Sequence, residues 1–216
     1  MISRDTSYSP LLEKHLNALP LIWKTPEEWA FRVSQKPLEL LSDHAHLEKK
    51  AALNALELLN RWGSIQQESF WCDSLAAVAK DESLHLEMVL KMLKNRGGVL
   101  SRIHHNPYAQ ELRKHVRSGK GVLDTLDRLL VSALIEARSC ERFILLTSLP
   151  IEKDLALFYQ KLVASESGHY KIFLDLAESI GVSEEMASRW QYFLDLESDI
   201  ISKLSFGYSM HSGIHS

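Results

Sequence analysis

The chain has 216 residues and a near-neutral charge balance, with 25 Lys and Arg against 28 Asp and Glu. This length suits one domain with a substantial core, and the charge balance excludes a chain that is basic or acidic throughout. The two cysteines, Cys72 and Cys140, form no CxxC motif and exclude a disulfide framework. No signal peptide and no apolar run of about 20 residues is present, so the sequence predicts a soluble cytoplasmic protein without membrane contact.

Proline and glycine residues mark the ends of the predicted helices. The first is predicted to begin at Thr25-Pro26, with Thr25 as its N-cap. Four long helices are predicted from Pro37 to about Trp62, from about Gln66 to Arg96, from Gly121 to Pro150, and from Glu152 to Gly181. Shorter helices are predicted from Asn106 to Gly119 and from Ser183 to about Leu204.

No segment alternates with a period of two residues, so the predicted fold class is all-α. The four long helices predict a four-helix bundle, to which N-terminal and C-terminal helices are added. We expect residues 1–204 to form a single domain and residues 205–216 to form a flexible tail.

Each long helix carries apolar residues at alternating spacings of four and three, the pattern of a bundle seam. Acids and imidazoles interrupt every seam near its middle: Glu48 in the first, Glu82 and His85 in the second, Glu136 in the third, and Glu166 and His169 in the fourth. A lone Glu-x-x-His pair is more typical of an exposed contact. Four unpaired carboxylates in one core would each cost several kcal/mol, so the seam positions predict two divalent cations among them.

The spacing along the chain supports this cluster. Glu48 and Glu82 are equally far from the turn predicted near Ile65, and Glu136 and Glu166 are equally far from the turn predicted near Ile151. In antiparallel helices, each pair therefore lies at the same height. Glu141 lies closer to its turn and points elsewhere, so we interpret it as an acid at the surface or behind the ligands, paired with Arg138.

The ligand types indicate the metal. Carboxylates with one imidazole per ion suit iron or manganese, whereas thiolate-rich sites suit zinc. Cys140 lies one turn after Glu136 on the same seam, and we interpret it as a small buried residue rather than a ligand. Gly168, between Glu166 and His169, has two interpretations: it gives room to the substrate or a neighbouring helix, or it is tolerated.

Positive charge is concentrated between the second and third long helices. From Lys94 to Lys120 the chain contains seven Lys and Arg residues and the single acid Glu111. Such a patch is typical of phosphate-backbone binding, although a solvated loop is the alternative. The candidate RNA-binding residues are Arg102, Arg113, Lys114, Arg117 and Lys120. Tyr108 is either a base-stacking residue or a packing residue.

Four segments resemble the MiaE family of tRNA hydroxylases, in the ferritin-like nonheme diiron superfamily. They are "DHAHLEKKAALNAL" (43–56), "KDESLHLEMV" (80–89), "IEARSCERF" (135–143) and "ASESGHYKIF" (164–173). The resemblance extends from about residue 10 to 205, and the six candidate ligands match the family pattern. It implies O₂-dependent hydroxylation of the isopentenyl group of 2-methylthio-N6-isopentenyladenosine beside the tRNA anticodon.

The same resemblance implies two iron ions in a dinuclear nonheme centre, O₂ as co-substrate, and electrons from an external reductase. We expect a monomer or dimer that binds the tRNA anticodon loop. Two alternatives remain at this stage: a ferritin-like ferroxidase, which needs a hollow assembly for storage, and a peroxide-reducing protein of the rubrerythrin type. The second alternative usually carries a rubredoxin-like Cys cluster, which this sequence does not contain. An inert structural bundle is disfavoured by the four seam acids.

Overall fold

The computed structural model describes residues 9–61, 68–148 and 152–215, and helices make up most of these residues. Their bounds are Pro10–Ala18 (α1), Glu27–Val33 (α2), Pro37–Leu59 (α3), Glu68–Asn95 (α4), Pro107–Lys114 (α5), Val122–Thr147 (α6), Lys153–Ser179 (α7) and Ser183–Lys203 (α8). The turns predicted near Ile65 and Ile151 lie outside the described residues. None of the described helices combines the length and the apolarity needed to cross a membrane.

Two long hairpins form the bundle. Helix α3 packs along α4, α6 packs along α7, and α4 contacts α7 across the seam. Pro37 occupies the first turn of α3, where its missing N–H costs nothing. Gly97 ends α4 with a φ of 75°, which L side chains rarely adopt, while the N–H of Gly98 returns to the carbonyl of Leu93 at 3.0 Å. The result is the predicted all-α, ferritin-like four-helix bundle with additional helices at both ends.

Helix α6 is the centre of the molecule rather than one quarter of a bundle. Besides α7, it contacts α1, α2, α5 and α8. Residues on all its faces are therefore buried, including the charged Asp127, Arg138 and Arg142. The seam pattern predicts only the one face of α6 that packs in the four-helix bundle. It therefore did not reveal that the other faces of α6 are buried as well.

The buried charges of α6 hold the added segments against the bundle. Arg138 forms ion pairs with Glu141 and with Glu197 of α8. Glu141 is 1% exposed, so its predicted pairing with Arg138 is present but a surface position is wrong. Its carboxylate also accepts the Thr25 N–H at 3.1 Å and the Thr25 hydroxyl at 2.5 Å. Thr25 is therefore not the N-cap of α2, because its hydroxyl bonds to Glu141 and Pro26 takes the cap position.

The C-terminal segment is packed, contrary to the expectation of a flexible tail at residues 205–216. Met210 is fully buried, and His211 and Ser212 are almost fully buried. Trp29 donates its indole N–H to the Ser212 hydroxyl at 3.1 Å, and Arg142 donates to the Ser212 carbonyl at 3.0 Å. The described part of the tail thus covers α6 through hydrogen bonds that residue composition did not indicate.

Candidate metal centre

All six predicted ligands lie in the middle of the bundle and are buried. Helix α3 contributes Glu48, α4 contributes Glu82 and His85, α6 contributes Glu136, and α7 contributes Glu166 and His169. Their ligand atoms form two overlapping groups in which all atoms lie within 4.8 Å of one another. The groups are Glu48, Glu82, His85 and Glu166, and Glu82, Glu136, Glu166 and His169. Glu82 and Glu166 belong to both groups, as two bridging carboxylates would.

The cluster contains buried polar atoms that the protein itself does not satisfy. Both carboxylate oxygens of Glu166, Oε1 of Glu82, and Nδ1 of His85 and of His169 have no hydrogen-bond partner. His169 Nδ1 lies 2.6 Å from Glu82 Oε1, and His85 Nδ1 lies 3.3 Å from Glu166 Oε1, without hydrogen-bond geometry. Buried groups are normally paired, so lone pairs that converge in this way fit cations between them. The donor set of four carboxylates and two imidazoles suits iron or manganese.

The electrostatics of the cluster reflect crowded negative charge. Burial and the neighbouring carboxylates of Glu166 and Glu48 raise the pKa of Glu82 to about 8. Burial and the same kind of repulsion raise the pKa of Glu136 well above its usual range. Burial lowers the pKa of His85, but the surrounding carboxylates outweigh it and raise this pKa to about 12. Bound protons relieve the repulsion, and divalent cations would relieve it in their place.

Sequence reasoning missed one residue of this site, His44. It lies one turn before Glu48 on α3 and donates a short hydrogen bond from Nε2 to the Glu48 carboxylate. Burial raises the pKa of Glu48, but the charge and hydrogen bond of His44 outweigh burial and bring it below its usual range. The i,i+4 spacing of His44 and Glu48 was the available signal.

Aromatic rings hold the His44 imidazole in place. Tyr159 stacks on it with ring centroids 5.6 Å apart, and the rings of Phe143 and Phe158 lie at 5.0 and 5.9 Å. Metal-binding carboxylates are commonly oriented by such hydrogen-bonded neighbours. His44 therefore fixes the orientation of Glu48.

A cavity of about 320 Å³ connects this cluster to the surface. Its inner end is lined by the four clustered glutamates, Glu48, Glu82, Glu136 and Glu166. Leu47, Val131 and Ile135 supply apolar wall, and the hydrogen-bonded pair Asn54 and Ser132 supplies polar wall. The outer end is lined by the basic residues Lys50, Arg113 and Arg128. Ligand-binding cavities usually have volumes of about 300 to 1,000 Å³, so this one can admit a small organic group.

The structure separates the five candidate RNA-binding residues. Arg113 lines the cavity, whereas Arg102 and Lys120 are exposed elsewhere on the crossover between α4 and α6. Lys114 pairs with Glu111 at 2.6 Å. Arg117 is the poorest candidate, because its guanidinium is engaged by Asp127 and by Glu185, both at 2.9 Å. Sequence reasoning missed Lys50 and Arg128, which lie on α3 and α6 outside the basic stretch.

Two other interpretations from the sequence have clear outcomes. Tyr108 is fully buried and donates its hydroxyl to Glu197 at 2.9 Å, so it packs rather than stacking on a base. Cys140 is fully buried, and its thiol lies 3.6 Å from the carbonyl oxygen of Val163. Burial raises the pKa of Cys140, which disfavours the thiolate that a metal ligand requires.

The fold and the cluster together define a class: a ferritin-like helical bundle with a buried carboxylate and imidazole site of the dinuclear type. Comparisons with known proteins agree with this class. The chain is 31% identical to a solved structure, protein 43 with aldehyde deformylating oxygenase activity from Synechococcus. The two superpose with a TM-score of 0.81 over 89% of this chain and 96% of the other.

Curated relatives are tRNA-modifying enzymes. A tRNA 2-(methylsulfanyl)-N(6)-isopentenyladenosine(37) hydroxylase from Pseudomonas putida is 34% identical over 190 residues, covering 88% of this chain and 90% of the relative. The enzyme of the same name from Salmonella typhimurium is 32% identical over 196 residues, covering 90% of this chain and 68% of the relative. The model of the tRNA-(MS[2]IO[6]A)-hydroxylase family, MiaE, matches residues 12–212. The chain belongs to the MiaE family.

Proposed function

We propose that this chain hydroxylates the isopentenyl group of 2-methylthio-N6-isopentenyladenosine beside the anticodon of tRNA, using O₂ and two iron ions. The observation that carries the proposal is a cavity with a buried carboxylate and imidazole cluster at its inner end and cationic side chains at its outer end. The names of the two curated relatives supply the substrate. An external reductase supplies the electrons, and the protein acts in the cytoplasm as a monomer or dimer.

The six clustered residues would hold the metal ions, and two iron ions bound there supply the redox chemistry that activates O₂ and inserts one oxygen atom into a C–H bond. The residues of the chain prepare the site for this reaction. Because Glu82 and Glu166 are buried, bulk water would reach the cluster only through the cavity, which a bound substrate would fill. Leu47, Val131 and Ile135 offer apolar contact to a prenyl group next to the cluster. The polar and cationic outer end suits the base, ribose and phosphate that follow.

The test is mass spectrometry of nucleosides. Purified protein, loaded with Fe²⁺, is incubated with an anticodon stem-loop that carries 2-methylthio-N6-isopentenyladenosine, a reductant and O₂, and the RNA is digested. We expect the prenylated adenosine to gain one oxygen atom. No gain, with iron bound and reductant consumed, would contradict the proposed reaction.

Ligand variants separate the metal site from general damage. Glu82→Ala and His169→Ala should abolish the product and lower the iron content, because each removes a ligand from the cluster. Glu87→Ala, an exposed acid on the same helix as Glu82, is the matched control and should keep both. Full iron occupancy in the two ligand variants would refute the ligand assignment.

Iron storage is the alternative function, and assembly size separates the two. Storage needs a hollow shell of many subunits, whereas a hydroxylase that admits an RNA loop does not. Light scattering of the iron-loaded protein should give a monomer or dimer. A large closed assembly that retains oxidised iron would favour the ferroxidase instead.

A further inference from the structure

Two of the three cations at the outer end of the cavity form no direct ion pair among the described residues, whereas the third does. Arg128 pairs with Asp124 at 2.6 Å and with Glu57 at 3.4 Å. Lys50 and Arg113, by contrast, have no carboxylate within ion-pair distance among the described residues. Lys50 and Arg113 line the same cavity, so an anion bound between the two side chains would balance both positive charges.

Lys50 is also held in position, which is unusual for a flexible side chain. Its ammonium group donates to Nδ1 of His104 at 2.8 Å. His104 in turn donates from Nε2 to Asp43 at 2.8 Å, and the other oxygen of Asp43 accepts the backbone N–H of Met210 at 2.8 Å. The Asp43 bond fixes the proton on Nε2 and leaves the Nδ1 lone pair free to accept from Lys50.

The imidazole that orients Lys50 is itself immobilised. The side chain of His104 is only 7% exposed. The ring of His46 stacks on it with centroids 4.7 Å apart and an angle of 8° between the planes. His46 is fixed in turn by a hydrogen bond from its Nε2 to the carbonyl of Ser101 at 2.9 Å. A chain of buried polar contacts thus reaches from the C-terminal segment to the cationic end of the cavity.

We propose that Lys50 and Arg113 form a phosphate-binding site at the outer end of the cavity, and that Asp43 and His104 are its positioning residues. The ligand is a backbone phosphodiester of the RNA strand that carries the target base. A phosphate held there would set how deeply the attached nucleotide enters toward Glu82 and Glu166. This inference rests on the proposed function for the identity of the RNA, but not for the presence of the anion site.

The hydrogen bond from Lys50 to His104 explains how a flexible lysine can serve beside an arginine in this site. Lysine is a compact charge that normally samples many rotamers, so ordering it on binding costs conformational entropy. Because His104 already orders Lys50, a phosphate would meet a preformed donor. Arg113 lies on α5, is exposed and lines the same cavity, so it can contact the same phosphate.

Two neighbouring lysines provide a matched test. Lys50→Met and Lys49→Met remove the same charge one residue apart, and Lys49 is exposed and outside the cavity. Binding of an unmodified anticodon stem-loop is measured by fluorescence anisotropy from about 50 to 200 mM salt. Lys50→Met should weaken binding roughly tenfold and should lower the slope of log Kd against log salt by about 0.7 to 1. Arg113→Met should change both quantities in the same direction.

Lys49→Met should leave the slope close to that of the parent protein. Equal effects of Lys50→Met and Lys49→Met would overturn the phosphate site, because general charge would then account for binding. The iron content and the thermal unfolding of each variant are measured to check that the fold is retained. Because this RNA is not a substrate, a failure of the hydroxylation assay would not affect the result.

The positioning role needs a variant that keeps the charge of Lys50. His104→Phe removes the acceptor of the Lys50 hydrogen bond without changing any Lys or Arg, and it should weaken RNA binding several-fold. His104→Gln, whose amide oxygen can accept the same bond, should restore part of the affinity. Equal affinities for the parent protein and both variants would refute the positioning role and leave Lys50 as an ordinary surface cation.

Discussion

Glu166 has the most unusual environment of the clustered acids. It is buried, belongs to both ligand groups, and neither of its oxygens has a hydrogen-bond partner. A carboxylate in this position is costly unless a cation balances it, and replacing a buried charge by a neutral group of the same shape can then be favourable. Whether the charge of Glu166 stabilises or destabilises the fold therefore depends on whether metal is bound.

This dependence gives a prediction with opposite signs in two conditions. In a chelator, Glu166→Gln should raise the free energy of unfolding above that of the parent protein, because it removes a buried negative charge. With Mn²⁺ in excess, the same variant should be less stable than the parent protein, because the parent gains binding energy that the variant loses. Urea unfolding with and without metal measures both values. The same ranking in both conditions would contradict a metal site at Glu166.

At the scale of single elements, Gly168 of α7 and Gly213 of the C-terminal segment show two different uses of glycine. A Cβ at Gly168 would meet no atom within 4 Å, so the structure favours mere tolerance over a need for space. A Cβ at Gly213 would lie 1.7 Å from the backbone oxygen of Leu204, so no side chain fits there.

Alanine substitutions should separate these two glycines. Gly168→Ala should stabilise the protein by about 1 kcal/mol, because Ala favours the interior of α7 over Gly. Gly213→Ala should destabilise it, because the tail must move away from Leu204 to admit the methyl group. Urea unfolding of both variants is the measurement. A destabilising Gly168→Ala would show that a closer contact exists at this position.

Asp127 ties α6 to two neighbouring segments. It is fully buried and pairs with Arg117, after α5, and with Arg189 of α8, both at 2.9 Å. Burial raises its pKa, but the hydrogen bonds from Arg189 and Arg117 outweigh burial and bring the pKa below its usual value. Its ionised form therefore stabilises the fold above the unfolded-state pKa of about 3.9, and this contribution is lost as the pH falls through the folded value.

Removal of the Asp127 charge should lower the free energy of unfolding at neutral pH. Asp127→Asn should cost about 3 kcal/mol of unfolding free energy at pH 7, because it removes the carboxylate that pairs with Arg189 and one of the two that pair with Arg117. The difference from the parent protein should shrink as the pH falls below about 4. Asp195→Asn, an exposed acid of α8, is the control and should change little. A pH-independent loss at Asp127 would indicate a packing effect instead.

For the molecule as a whole, the C-terminal segment completes the core. Met210 is fully buried, whereas Met88 of α4 is 38% exposed. Met210→Ala should lower the free energy of unfolding by about 2 to 5 kcal/mol, because it leaves a cavity in the core. Met88→Ala should change it by less than about 0.5 kcal/mol. Equal small effects at both positions would mean that the tail contributes no stability.

The features that could be predicted from the sequence are those that recur with the period of a helix. Seam spacing alone predicts that Glu48, Glu82 and the other four ligands lie together, because a charged residue on the apolar stripe of a helix needs a buried partner. The packing of Met210 was not predictable, since a short polar segment carries no periodic signal. The ion pair of Arg117 with Asp127 was also not predictable, because only the folded chain brings the two side chains together. Lys50 was not predicted to line the cavity, because a single cation on a long helix shows no spacing pattern in the sequence.

The position of α6 at the centre of the fold has a consequence for sequence variation. A helix with one inward stripe accepts many residues on its outer side, whereas α6 is packed against neighbours on every side. In a saturation library selected for folded protein, tolerance along α3 and α4 should rise and fall with each turn. Along α6 it should stay low at nearly every position. Sequence differences between relatives should therefore be rarest in α6 and most frequent on the outer faces of the other helices.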